Sequence, residues 1–221
     1  MNNKNITPKI DDYFEHNGYL YIIMDYIPGV NSQKLLDYFE SNKAQNIYKQ
    51  LGERLARDIH SIKSSNTASN LPIINLMNFE LDSFDFIPQI LMKEVETILR
   101  TEIVNEYVLI HGDYGPHNAL SLNDSLYIID WEWAGWGHSL QDVSWVVWFL
   151  HLHYPQFAKE LTATFLEAYG SHSEIQINEV LIKAFSISRI INIMDRIRNA
   201  HIDVQQEWIM RLQWTLNTNF L

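Results

Sequence analysis

The sequence predicts an α+β fold, with a small β piece at the front and a mainly helical body. Two observations carry this reading. Asn17-Gly18 separates two strand-like runs near the amino end, the strongest short-range hairpin signal because both residues tolerate positive φ. After Gly29 the apolar positions recur every three or four residues over most of the chain, the period of helices. No internal repeat or low-complexity tract interrupts that pattern.

Taken in order, residues 9–15 and 19–24 form the hairpin strands. The second, Tyr19-Leu20-Tyr21-Ile22-Ile23-Met24, is almost wholly apolar and is expected to be buried on both faces. Asp25-Tyr26-Ile27-Pro28-Gly29 then ends the ladder. Ser32 is placed to cap a helix to about residue 40. Ile47, Leu51, Leu55 and Ile59 recur every four residues and mark an amphipathic helix over 43–62. Residues 64–72 read as a polar loop, and Pro88 opens a helix to about 102. A strand at 107–110 and a hairpin of 119–122 with 126–129 follow. The remaining helices are expected at 140–151, 155–169, 178–200 and 204–216.

Composition bounds the chemistry. The 221 residues are 47% apolar, enough for one domain with a sizeable core. Sixteen Lys and Arg against 27 Asp and Glu leave a net charge of -11. That opposes a nucleic-acid or anionic-membrane partner, which needs a basic face, and is compatible with a cationic small substrate. The absence of cysteine excludes disulfides, thiolate chemistry and Cys-based zinc sites. The polar start carries no signal-peptide core, and the longest uncharged stretch, 143–158, holds two histidines and a proline and so reads as a buried helix. A cytoplasmic location is expected, and oligomeric state is left open.

Chemistry concentrates in His111-Gly112-Asp113-Tyr114-Gly115-Pro116-His117-Asn118 and Ile129-Asp130-Trp131-Glu132. An acid leaves the end of an apolar strand, an amide lies five positions on, and a second acid closes the next hairpin. Phosphoryl transfer from ATP needs such a set: a carboxylate to take the hydroxyl proton and oxygen ligands for Mg²⁺. Protein kinases write this loop H-R-D-x-x-x-x-N with a later Asp-Phe-Gly; here Gly112 replaces the arginine and Trp131-Glu132 follow the later acid. The plain alternative for Asp113, Asn118 and Asp130 is a strand-end turn. The spacing of His111, His117, His138, His151 and His153 matches no zinc motif, and structural roles are expected for them. Trp145 to Leu150 read as a core helix, and 195–198 as a solvated or salt-bridged face.

With Gly137 and Asp142 in Gly-His-Ser-Leu-Gln-Asp, the hinge-like Met24–Gly29 and Leu55–His60, these segments resemble the aminoglycoside phosphotransferase and choline kinase-like family over about residues 7–150. The resemblance implies a protein-kinase-like fold: residues 1–29 a remnant of the β amino-lobe with the hinge, 30–221 the helical carboxy-lobe with catalytic loop and acceptor site. It implies Asp113 as catalytic base, and Asn118 and Asp130 as ligands of Mg²⁺ on ATP. The backbone of Asp25, Tyr26 and Ile27 would bind adenine, with His111 and Asp142 bracing the catalytic loop. Trp131 and Glu132 stand where an acceptor could be met, and Asp195 is a candidate for a cationic one. The implied function is transfer of the γ-phosphate to a hydroxyl of a small molecule, amine-bearing ones included.

The family's glycine-rich phosphate loop, strand lysine and partner glutamate are not found. Only Gly18 of the eight glycines precedes the hinge, and the hairpin turn needs it. The expectation is therefore an amino-terminally truncated member with weak or absent ATP turnover. The alternatives are a non-catalytic binding or regulatory remnant and, further off, a metal-dependent phosphohydrolase using the same acids.

Overall fold

A computed structural model of the chain describes residues 6–37, 40–64, 70–75, 84–101 and 107–221. At the front, β1 (Ile10–His16) and β2 (Tyr19–Met24) pair antiparallel around a turn in which Asn17 and Gly18 both take positive φ, 52° and 78°. The hairpin forms as the sequence predicts, but its burial does not. Every residue of both strands is exposed. The physical reason is the sheet's size: it has two strands, and among the described residues no third strand joins it. Phe14 and Tyr21 stack on one another, 5.1 Å between centroids, and so shield mainly each other.

From Val30 onward the chain enters the body. β3 (Val30–Asn31), β5 (Ala119–Leu122) and β6 (Ser125–Ile128) make an antiparallel sheet in the order β3-β5-β6. β4 (Tyr107–Ile110) pairs with β7 (Gly135–His138). Neither β3 nor β7 is visible in the sequence. One has two residues, and Gly-Trp-Gly-His carries no apolar alternation.

The helices fall close to their predicted spans: α1 (Ser32–Asp37), α2 (Ser41–Arg54), α3 (Gln89–Leu99), α4 (Leu140–His153), α5 (Ala158–Gly170), α6 (Glu179–Arg196) and α7 (Ile202–Asn217). Two details differ. The cap of α1 is Asn31, whose Oδ1 accepts the Gln33 N–H at 3.0 Å, while the expected cap Ser32 buries an unpaired hydroxyl. And α2 does not run on as an α-helix to 62; Leu55–Ile59 form a π turn before His60. Such a turn adds one residue to the helical circuit and is common at functional sites.

Every residue from Leu140 to Leu150 is buried, which bears out α4 as the core helix. It packs on α5 and α6, and α7 lies against α6. The Trp148 indole stacks on Trp145 at 4.6 Å, neighbours Trp208 and Trp214, and donates to Thr215 Oγ1 at 2.8 Å. At the carboxyl end the Glu179 carboxylate accepts the N–H groups of Phe220 and Leu221. No helix among the described residues is long and apolar enough to cross a membrane.

The approach of α2 to α5 depends on Gly52. A Cβ there would lie 2.4 Å from the Phe165 carbonyl oxygen and 3.0 Å from the Tyr169 nitrogen. Both obstacles are backbone, so the helices must part to admit a methyl group. Gly52→Ala is expected to destabilise the fold by about 1–3 kcal/mol, read as a lower urea midpoint with unchanged slope.

Candidate active site

The site begins where β4 ends. Ile110 is fully buried, and the chain turns at Gly112 with φ of +82°. A Cβ at Gly112 would sit 2.4 Å from the Trp133 carbonyl oxygen, so the turn needs glycine for conformation and for space. Two successive backbone N–H groups, of His111 and Gly112, point at the carboxylate of Asp142 in the first turn of α4, at 2.8 and 2.9 Å. His60, delivered by the π turn, adds its Nε2 at 3.2 Å, and its Nδ1 meets the Tyr169 hydroxyl at 2.9 Å. Burial alone would raise the Asp142 carboxyl; the hydrogen bond and charge of His60 and the His111 N–H outweigh it and hold it below its usual value.

His111 joins the two strands that supply the acids. Its Nε2 donates to the Ile129 carbonyl at 2.9 Å, and its Nδ1 accepts the Asp113 N–H at 3.3 Å. Those bonds assign the proton to Nε2, and burial lowers the pKa against the opposing charge of Asp142. Trp131 packs on the His111 ring at 4.7 Å and donates its indole N–H to the Ile128 carbonyl.

The Asp113 carboxylate, like that of Asp142, has three partners. Oδ1 accepts the Trp145 indole N–H at 2.8 Å. Oδ2 accepts the Asn118 amide at 3.0 Å and faces His117 Nε2 at 3.3 Å. Burial pushes this carboxyl up, but the hydrogen bond and charge of His117, the Trp145 N–H and the charge of Arg189 prevail, and its pKa lies at about 2. It is a fixed anion throughout the neutral range. Asn118 also donates to the Asp113 carbonyl at 2.9 Å, which turns its Oδ1 away from any protein donor among the described residues.

Asp130, at the end of β6, is exposed and holds φ at +63°, unusual for a residue other than glycine. Strained backbone of this kind clusters at functional sites. Among the described residues no three His, Cys, Asp or Glu side chains converge on a metal position. Asn118 Oδ1 and the Asp130 carboxylate are oxygen atoms of the kind that could hold a divalent cation.

Asp25, Tyr26 and Ile27 lie in the segment without regular secondary structure between β2 and β3, with Tyr26 87% exposed. Glu132 is exposed in the turn beyond Asp130. The structure thus brings together His111, Asp113, Asn118, Trp131 and Asp142. Trp145, His117, His60 and Arg189 join them without having been singled out by the sequence for this site. Trp145 and His117 had structural readings, and an indole N–H on a distant carboxylate leaves no trace in local spacing. His117 is only partly satisfied, since its Nδ1 is buried without a partner.

The family model of the APH phosphotransferase enzyme family matches residues 7–177. The chain belongs to that family. No curated protein matches it. Solved structures place this family member among protein-kinase-like folds. The amicoumacin kinase hAmiN, in complex with AMP-PNP, Ca²⁺ and Ami, matches at 14% identity and TM-score 0.64, covering 91% of this chain and 66% of that one. A choline/ethanolamine kinase family protein from Mesorhizobium loti matches at 14% and 0.66, covering 96% and 75%. Spectinomycin phosphotransferase APH(9)-Ia, with ADP and spectinomycin, matches at 19% and 0.58, covering 96% and 73%. The chain spans about two thirds of the first protein's length and three quarters of the others'. Identities this low establish the fold.

Removing the Asp142 carboxylate leaves two backbone donors and His60 facing a buried hole. Asp142→Ala is expected to cost about 3–5 kcal/mol, with faster amide exchange at His111 and Gly112. Asp113 has a depressed pKa, so its contribution to stability is present above its unfolded value near 4 and is lost as pH falls toward 2. Unfolding free energies measured from pH 6 to 2 should fall in that lower window, and Asp113→Asn should flatten the fall.

Proposed function

We propose that this chain transfers the γ-phosphoryl group of ATP to a hydroxyl of a small molecule. The observation that carries the reading is the Asp113 carboxylate, fixed by the Trp145 indole and the Asn118 amide, whose own bond to the Asp113 carbonyl leaves Asn118 Oδ1 open to a cation. Phosphoryl transfer depends on positioning and electrostatics, and this arrangement supplies both.

The acceptor hydroxyl donates to Asp113, which orients its oxygen toward the γ-phosphorus. The new oxygen–phosphorus bond forms as the bond to the β–γ bridging oxygen breaks, ADP leaves, and the hydroxyl proton passes to Asp113 and then to water. With a pKa of about 2, Asp113 is a weak base. It therefore orients first and accepts the proton late, once the acceptor oxygen has become acidic by bonding to phosphorus. Asn118 and Asp130 would hold the divalent cation, whose chemistry is to neutralise phosphate charge. The Asp25 N–H is held by the Lys9 carbonyl at 2.9 Å, so adenine would meet the remaining backbone polar groups of Asp25 to Ile27. Trp131 acts through His111 as a positioning residue. The nucleotide analogue and cation in the amicoumacin kinase structure support the same cofactor class.

One observation favours a second reading, a non-catalytic binding module. Ahead of the hinge, Gly18 is consumed by the hairpin turn, and Lys9 is exposed and paired with Asp11 at 2.7 Å. Neither is placed to hold phosphates among the described residues.

Activity and binding separate the two. If the chain is a kinase, Asp113→Asn lowers ATP consumption with a hydroxylated acceptor about 10²–10⁴-fold while the fold persists. Mg²⁺–ATP should stabilise the wild type by about 2.7 kcal/mol at a hundred times its Kd, and Asp130→Asn should abolish that gain. Absence of any Mg²⁺–ATP stabilisation selects the module.

A further inference from the structure

We propose that the acceptor carries an oxyanion, a carboxylate or phosphate, received by Arg189, Asn192 and Arg196 on one face of α6; this rests on the phosphotransferase reading above. The three residues stand at i, i+3 and i+7, which places them in one row along a helix. Arg189 is 8% exposed. Its Nε is buried without a hydrogen-bond partner, and so is the Asn192 side-chain oxygen. Among the described residues neither arginine lies in an ion pair with a carboxylate. A buried guanidinium left in this state is costly unless a ligand completes it.

Both arginines are tied to the catalytic loop through a tryptophan. The Arg189 guanidinium lies 5.5 Å from the centre of the Trp145 ring, and that indole donates to Asp113. The Arg196 guanidinium lies 3.9 Å from the centre of the Trp133 ring, and the Trp133 carbonyl abuts Gly112. Each guanidinium lies over an indole ring and, among the described residues, neither is paired with a carboxylate, which leaves its N–H donors to a carboxylate or phosphate. An acceptor bound between them lies beside Asp113, with the Asn192 oxygen available to a further hydroxyl of the same molecule.

The surrounding charges agree. Asp113 and Asp142 are the acids whose fields reach Arg189, and Arg196 opposes them. Asp113 is already held by its donors and Asp142 by the loop. Asp195, the sequence's candidate for a cationic acceptor, pairs with Arg198 at 2.6 Å. The overall charge of -11 therefore does not describe this patch.

The test is calorimetric binding to the full chain, which requires no turnover. Four probes share a carbon skeleton: glucose, glucosamine, gluconate and glucose 6-phosphate. Gluconate or glucose 6-phosphate is expected to bind about tenfold or more tightly than the neutral and cationic sugars, and the stronger of the two identifies the oxyanion. Arg189→Gln and Arg196→Gln should each remove that margin while Mg²⁺–ADP affinity changes less than about twofold. If Arg189→Gln fails to fold, the exposed Arg196 variant carries the test. Glucosamine binding as tightly as the anions, no binding of either anion, a preference untouched by the substitutions, or a loss confined to ADP would each overturn the proposal. The transfer reading fails separately: ATP consumption unaffected by Asp113→Asn, with the anion preference intact, removes the reaction and keeps the site.

Discussion

The buried carboxylate of Asp142 is the contact on which the rest of the site depends. Two consecutive N–H groups at the end of a strand have no ladder partner once the chain turns, and leaving them unpaired in the interior is costly. Asp142 satisfies both and is itself held by His60. That single group fixes the direction in which the chain leaves β4. The positions of Asp113, of the turn at Pro116–Asn118 and, through His111, of the end of β6 all follow from it.

The same helix supplies the core and the chemistry. α4 carries Asp142 under the loop in its first turn, continues with Trp145 on the reacting carboxylate, and buries mostly apolar side chains over the rest of its length. A core helix is the stiffest part of a domain, so a carboxylate bonded to it loses rotamer freedom before any substrate arrives. That is the structural form of preorganisation: the orienting work is done during folding. α6 packs on α4 and brings its row of unpaired polar groups to the other side of the same indole.

Much of this was legible from residue order. The Asn-Gly hairpin, the helical periods and the strand-end acids are local signals, and the elements they mark formed near their predicted bounds, apart from the early end of α2 as an α-helix. The family resemblance is carried by several ordered motifs, chiefly His111 to Asn118 and Ile129 to Glu132, which survive in sequence because a short loop and hairpin keep them local. What escaped is non-local or phase-dependent. The π turn at Leu55–Ile59 preserves the four-residue recurrence on either side, so the sequence reads straight through it. The Trp145–Asp113 bond spans 32 positions, and Arg189 looks like any basic residue on an amphipathic helix until its missing partners are seen. The burial of β2 was misread because an apolar strand reports what it could pack against, not what is there.

Trp145 also gives the molecule an optical property. Its ring is stacked nearly parallel on that of Trp148, its N–H is fixed on an ionised carboxylate, and a guanidinium lies over its face. Indole emission shifts with the charges around the ring, since the excited state redistributes electron density across it. This chromophore stands between the anion that would meet a hydroxyl and the cation that would meet an oxyanion. Its colour is therefore set by the electrostatic balance of the site itself, and the protein carries its own spectroscopic label at the place where the chemistry would occur.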